Sequence, residues 1–254
     1  PSLLFKWDSV IDLINSGYTN RGDGSQQAYH ALVGGYILGE LVKRVTGKSV
    51  ETALQEFIAK PLGAKYLTYG LEQQHHKAAA FNYSTGATPV FPINVLAKRA
   101  LNIEFEKVAS ISNTTGFMNA SIPAGNIYGT ADEVSRFYQM MLDGGTFNGK
   151  QLFEKETIKL ATKPAGPLTI DQTLMIPIRF STGFMLGENV FSLFGVKARK
   201  AYGHLGLINI VTWADPARDI SVAFLNTGKS LDPRSLPALG KVLVSVSSNC
   251  SVLK

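Results

Sequence analysis

The sequence predicts an α+β protein, with helices first, an antiparallel set of strands after them and one helix at the end. Three observations predict it. Apolar residues recur at helical spacing through much of the first 165 positions; after Pro164 the pattern changes to short strand-like runs; residues 236–247 return to a helix. With 254 residues, 45% of them hydrophobic, the chain is long enough to bury a sizeable core. It reads as one domain over residues 1–254, mainly helical over 1–165, with the strands and the last helix over 166–254. No internal repeat or low-complexity segment interrupts it.

Each element has a local cause. Trp7, Val10, Ile11, Leu13 and Ile14 make a short amphipathic helix that ends at Ser16-Gly17. Tyr18 to Gln27 is rich in Gly, Asn, Ser and Thr and reads as a loop. From Ala31 to Val45 the chain is so apolar (Leu32, Val33, Tyr36, Ile37, Leu38, Leu41, Val42) that a buried helix is expected, stopped by Gly47. Ser49 caps the next helix, and Pro61-Leu62-Gly63 ends it. Residues 64–125 read as a long lid-like excursion with one or two helices around 93–108. Thr130-Ala131-Asp132-Glu133 opens a helix that runs to Gly144-Gly145, and another spans Glu154 to Ala161. Strands are expected at 180–186, 209–214 and 219–226.

Composition narrows the function. The net charge of +6 is spread out, and its densest cluster, Lys197-Ala198-Arg199-Lys200, holds three charges. A solvated basic surface explains this better than nucleic-acid binding, and a basic rim can draw in a carboxylate-bearing substrate. No apolar run approaches the ~18 residues of a membrane span. The single cysteine, Cys250, allows neither an intrachain disulfide nor a thiolate metal cluster. His75 and His76 are consecutive, which is poor metal-ligand spacing, so no metal site is expected, and no organic cofactor is implied. Gly-x-Ser-x-Gly, Walker and Gly-x-Gly-x-x-Gly motifs are absent. Arg21-Gly22-Asp23 spells an adhesion tripeptide in a loop where chance accounts for it.

Two residues stand out for chemistry. His204, in Tyr202-Gly203-His204-Leu205-Gly206, is placed at the entry to an alternating β-branched segment that stops at Asp215-Pro216. Its imidazole can take or give a proton near pH 7. Gly206 lets the backbone approach a substrate, and the N–H groups beyond it can bind an oxyanion. The tripeptide alone favours a half-buried histidine hydrogen-bonded at a strand end. Tyr29 stands at a loop-to-helix junction where a phenol can face a cleft, although a tyrosine there is more often a packing residue. A phenol is a poor base unless a nearby cation lowers its pKa. His30 points elsewhere and is not obviously paired with it.

Together these stretches resemble the serine β-lactamase-related family: class C β-lactamases, penicillin-binding proteins and esterases of the same fold. Tyr29-His30-Ala31-Leu32 and the run from Leu38 to Gly47 resemble the family's tyrosine element and following helix. Pro61-Leu62-Gly63, Ile122-Pro123-Ala124-Gly125 with Gly129-Thr130-Ala131-Asp132, and His204-Leu205-Gly206 with Trp213-Ala214-Asp215-Pro216 match in order. The resemblance implies a β-lactamase/transpeptidase-like fold. It also implies a serine hydrolase acting on small-molecule esters or β-lactam-like amides through an acyl-enzyme. Tyr29 would be the tyrosine that deprotonates the nucleophile, and His204 would stand where many members carry lysine. Gly206 would let the strand close on the substrate, and the Leu207 N–H would be one of two oxyanion donors. Ala31 replaces the asparagine common in the motif, which favours an esterase over β-lactam hydrolysis. Tyr18-Thr19-Asn20 spells the motif by letters, but its distance from Gly47 is wrong for the family.

Family members carry their nucleophile in a Ser-x-x-Lys upstream of the tyrosine. The one such tetrapeptide here is Ser251-Val252-Leu253-Lys254, downstream, at the level expected by chance. The expectation is therefore that the nucleophile lies on a preceding segment of a longer protein, the missing partner of this chain. The sheet would then have an unpaired edge and the core an open face, leaving the 254-residue chain inactive and poorly soluble by itself. The alternative is a non-catalytic ligand-binding or assembly protein of the same fold.

Overall fold

The computed structural model describes residues 2–17, 26–88, 91, 94–95, 104–190, 192–207, 210–230, 232 and 234–253. The helical part begins with α1 (Trp7–Ser16), α2 (Ala31–Thr46) and α3 (Val50–Leu54), which continues as a π turn over Gln55–Ala59. Ser49 caps α3 as expected, its side chain accepting from the Thr52 N–H. Gly47, at φ 69°, ends α2 in the left-handed region that favours glycine. Residues 18–25 of the Tyr18–Gln27 loop, Arg21-Gly22-Asp23 among them, lie outside the described residues.

α2 departs from the sequence expectation of a buried helix. Its buried face is narrow, made by Tyr36 and Gly39, with Gly35 half-buried beside them. A Cβ on Gly35 would meet the Pro123 carbonyl oxygen at 2.5 Å, and one on Gly39 would meet the Trp7 ring at 2.6 Å. Glycine at these two positions, one turn apart, lets both neighbours lie directly on the helix. Trp7 Nε1 then donates to Glu40 at 2.9 Å, and the Tyr36 hydroxyl donates to the Leu4 carbonyl. The opposite face is bare: Leu38 is 60% exposed, Leu41 51% and Val45 83%. Apolar periodicity says which face seeks burial, and does not say what covers it.

The 64–125 excursion holds short strands β1 (Thr68–Tyr69) and β2 (Tyr83–Ser84), then α4 (Phe105–Ser112) and α5 (Thr115–Asn119). Of the one or two helices expected around 93–108, residues 94–95 are helical and α4 begins at Phe105, while residues 96–103 lie outside the described set. β3 (Ile127–Tyr128) pairs with β1. α6 (Ala131–Leu142) opens on a capping box in which Thr130 and Glu133 satisfy each other's backbone N–H groups. Glu133 also accepts from the N–H groups of Lys65 and Tyr66, tying this corner to α6. Burial opposes its ionisation, yet these backbone donors outweigh burial and hold its carboxyl below the usual range. The β4 (Thr146–Phe147) and β5 (Lys150–Gln151) hairpin and α7 (Lys155–Thr162) lead into the sheet.

That sheet has six antiparallel strands: β6 (Thr169–Ile170), β7 (Pro177–Phe180), β8 (Met185–Leu186), β9 (Tyr202–Gly206), β10 (Ile210–Asp215) and β11 (Ile220–Phe224). They run in sequence order from β6 at one edge to β11 at the other. The strand expected at 180–186 is two strands, because Ser181 Oγ accepts from the Gly183 and Phe184 N–H groups and folds the chain back. α6 covers one face, where Tyr138, Met140 and Met141 pack with Tyr202 and Ala214. Trp213 and Val211 face the other way, onto Phe194 and Leu243 of α8 (Leu236–Asn249). A buried Arg218–Asp215 pair at 2.6 Å, with Arg218 also donating to the Ser247 and Cys250 carbonyls, locks the β10 end to the end of α8. β12 (Gly228–Lys229) runs parallel to β2, and among the described residues β11 pairs with β10 alone.

Candidate active site

His204 sits in the middle of β9. The sequence places it at the entry to one continuous strand, but the chain turns after Gly206 and returns as β10, so that His204 pairs with Thr212. Glycine permits this close pairing. A Cβ on Gly203 would fall 2.1 Å from the Thr212 carbonyl oxygen, and one on Gly206 would meet the Ile210 side chain at 3.0 Å. The first role visible for Gly206 is therefore packing within the hairpin. Leu207 follows in the turn, half-buried.

Tyr29 reaches this strand from the loop before α2. Its hydroxyl lies 3.4 Å from His204 Nε2, across 175 residues of sequence, and the two ring centroids are 5.6 Å apart. On its other side the phenol ring stacks on Phe180 of β7, with centroids 6.1 Å apart. The loop is fixed by the β6–β7 hairpin. Gln172 N–H donates to the Gln27 carbonyl at 2.9 Å, Gln27 Nε2 donates to the Ile178 carbonyl at 3.1 Å, and the Tyr29 N–H donates to Asp171 Oδ1 at 3.1 Å.

Proton positions follow from the partners. His204 Nδ1 lies 2.8 Å from the Leu205 carbonyl oxygen, which can only accept, so Nδ1 carries hydrogen. In the neutral ring Nε2 is then a lone pair facing Tyr29, and the phenol donates to it. Burial pushes the His204 pKa down, against the opposing Leu205 hydrogen bond, and keeps the ring neutral near pH 7. Burial also pushes the Tyr29 phenol up, and the Asp171 carboxylate adds to the rise, so the phenol stays protonated. The pair can pass a proton: Tyr29 oxygen can take one from a hydroxyl while giving its own to Nε2.

The other sequence candidates stand apart from this pair. His30 Nδ1 contacts the Ala28 carbonyl at 3.0 Å on the surface. His76 Nε2 contacts Asn119 Oδ1 at 2.6 Å and belongs to the excursion. No group of three or more His, Cys, Asp or Glu able to hold a metal occurs among the described residues. Ser251 is exposed beyond α8, and Lys254 is outside the described residues. Sequence reasoning missed Asp171 and Phe180. The available signal for Asp171 was its turn-forming setting, Asp171-Gln172-Thr173, which carries no hint of a link to Tyr29.

A family model described as Beta-lactamase matches residues 6–242, and the chain belongs to that family. The esterase/beta-lactamase LipL of Mycobacterium tuberculosis is 24% identical over 220 residues, covering 79% of this chain and 48% of that protein. The N-acetylmuramyl-L-alanine amidase of Bacillus subtilis is 25% identical over 238 residues, covering 91% of this chain and 51% of its own length. A penicillin-binding protein homolog from Caulobacter crescentus superposes with a TM-score of 0.78 at 29% identity, over 94% of this chain and 64% of the other. A family VIII carboxylesterase shares the fold with a TM-score of 0.75 at 22% identity, over 98% of this chain and 65% of that one. The chain spans about half the length of the curated relatives it matches.

Proposed function

We propose that this chain carries the general-base half of a serine acyl hydrolase that cleaves esters, and less readily β-lactam-like amides, through an acyl-enzyme. The observation that carries the reading is the Tyr29 hydroxyl beside the lone pair of His204 Nε2 at 3.4 Å. In this reading a serine hydroxyl attacks the acyl carbonyl as its proton passes to the Tyr29 oxygen, whose own proton moves to His204 Nε2. The proton then returns by the same path to the leaving alkoxide. Water repeats the cycle and releases the acid. The Leu207 N–H acts as one oxyanion donor beside the nucleophile's own N–H.

The serine belongs, in this proposal, to a Ser-x-x-Lys on a preceding segment of the same protein. That segment covers the exposed Leu38, Leu41 and Val45 face of α2, and its strands extend the sheet at β11. Its lysine, brought beside Tyr29, lowers a phenol that burial and Asp171 otherwise hold high. Ala31 leaves out the amide side chain that would hold a β-lactam; the name of LipL covers both esterase and beta-lactamase, and that of the carboxylesterase supports ester substrates.

The test is hydrolysis of a short-chain p-nitrophenyl ester by the full-length protein, with peptide mapping of a fluorophosphonate adduct. Ester turnover, with an adduct on an upstream Ser-x-x-Lys serine, is the expected result. Neither turnover nor adduct would support a non-catalytic ligand-binding member, and an adduct on Ser251 would move the nucleophile to the other end of the chain.

A further inference from the structure

We propose that Asp171 is the positioning residue of the Tyr29–His204 pair, tethering the Tyr29 backbone to the β6–β7 hairpin and keeping an uncompensated negative charge within electrostatic reach of the phenol. The inference rests on the hydrolase reading for its consequence, but not for its geometry.

Asp171 is 0% exposed, in the loop between β6 and β7. A buried carboxylate survives only where hydrogen bonds replace its water. Oδ1 accepts three: from Thr173 N–H at 2.9 Å, Leu174 N–H at 2.8 Å and Tyr29 N–H at 3.1 Å. The first two are local and fold the loop around the carboxylate. The third comes from the residue whose side chain meets His204. Oδ2 is buried with no partner among the described residues, so half of the carboxylate contributes charge without a contact that neutralises it.

A purely structural loop aspartate needs only the Thr173 and Leu174 bonds. Asp171 places the same oxygen where it also sets the last backbone N–H but one before α2. The Gln172–Gln27 and Gln27–Ile178 bonds flank it, so the loop is held along three successive attachments to one hairpin. The titratable groups facing the phenol among the described residues are Asp171 from this hairpin and His204 from β9, and the histidine is neutral near pH 7. A negative charge near the phenol disfavours phenolate and keeps Tyr29 a donor to Nε2 until a cation arrives. Asp171 thereby sets both where the phenol is and when it ionises.

The experiment is NMR of the full-length protein with 13Cζ-labelled tyrosine, the Tyr29 signal assigned with Tyr29→Phe, alongside steady-state kinetics. Asp171→Asn keeps an acceptor and removes the charge. Its Tyr29 titration midpoint is expected below that of the native protein, with the Tyr29–His204 nuclear Overhauser contact retained. Asp171→Ala removes the tether, and the contact is expected to vanish while kcat falls about 100-fold with little change in KM. A midpoint that stays or rises in the asparagine variant overturns the proposal, as does a retained contact with native kcat in the alanine variant. If the alanine variant does not fold, the asparagine titration decides alone. The NMR readings need no turnover, so a protein that hydrolyses no ester refutes the hydrolase reading and leaves Asp171 to be judged on them.

Discussion

The β9–β10–β11 part of the sheet and helix α2 are equally apolar in sequence and differently treated by the fold. Trp213 and Val211 are sealed between the sheet and α8, while Tyr202 and Ala214 are sealed under α6. α2 buries Tyr36 and Gly39 and leaves a row of leucine and valine to solvent. A strand between two helices finds both of its partners within these residues. α2 finds one, α1 with the Pro123 turn, and its second face has no cover among the described residues. The preceding segment proposed above would cover that face, and the Tyr29–His204 pair lies where the two regions meet, since Tyr29 belongs to the α2 side and His204 to the sheet.

The largest effects should come from the sealed region and the junction. Trp213→Ala should cost about 3–5 kcal/mol in urea unfolding of the full-length protein, the cavity penalty of a large aromatic core residue. A loss near zero would mean that this face is not the core described. Arg218→Ala should cost a similar amount, about 3–5 kcal/mol, because it leaves the buried Asp215 carboxylate unpaired. At the junction, Tyr29→Phe should lower kcat by about 100-fold or more in ester hydrolysis, the range of a lost general base; native rates would remove Tyr29 from the mechanism.

The comparison sharpens at α2 itself. Leu38→Ala should change the stability of the 254-residue chain by less than about 0.5 kcal/mol, as exposed positions do. In the full-length protein it should cost about 2 kcal/mol or more if a preceding segment covers that face. Equal small costs in both would refute the proposed cover. The pH dependence is subtler. In the proposed mechanism His204 accepts a proton as the neutral ring, and burial lowers its pKa from the ordinary 6.5. Activity should therefore hold as pH falls through 6.5 and drop only below it, and this acid limb should change in His204→Ala. The sign for stability is the same: with the folded pKa depressed, the contribution is whole above the unfolded value and fades as pH falls through the folded one.

The structure brings together Tyr29 and His204, the two residues that the sequence offered as candidates. The glycine-flanked histidine before a β-branched run is local, but by itself it reads as a structural histidine, and Tyr29 was singled out by the family's spacing to the helix stop at Gly47. The helices at 7–16, 31–46 and 131–142 were legible because their caps and periods are local properties. The 180–186 segment misled because Ser181 turns the chain between Phe180 and the apolar Phe184-Met185-Leu186, a turn that Ser181-Thr182-Gly183 already signals in the sequence. The helical reading around 93–108 met helix at residues 94–95 and again over Phe105–Ser112, on a stretch free of Pro and Gly whose middle lies outside the described residues. The buried reading of α2 mistook a capacity for burial for burial itself.

The sequence by itself determined the α+β order and the caps, because periodicity and capping act over a few residues of backbone, and it offered Tyr29 and His204 as candidates through their resemblance to a family's motifs. Only the tertiary structure decided that the histidine strand is a hairpin, that one face of α2 is bare, and that Asp171 holds the tyrosine from 142 positions away. Those depend on which surfaces the folded chain brings within hydrogen-bond or van der Waals range, and contacts between segments so far apart in the chain leave no pattern in either segment alone.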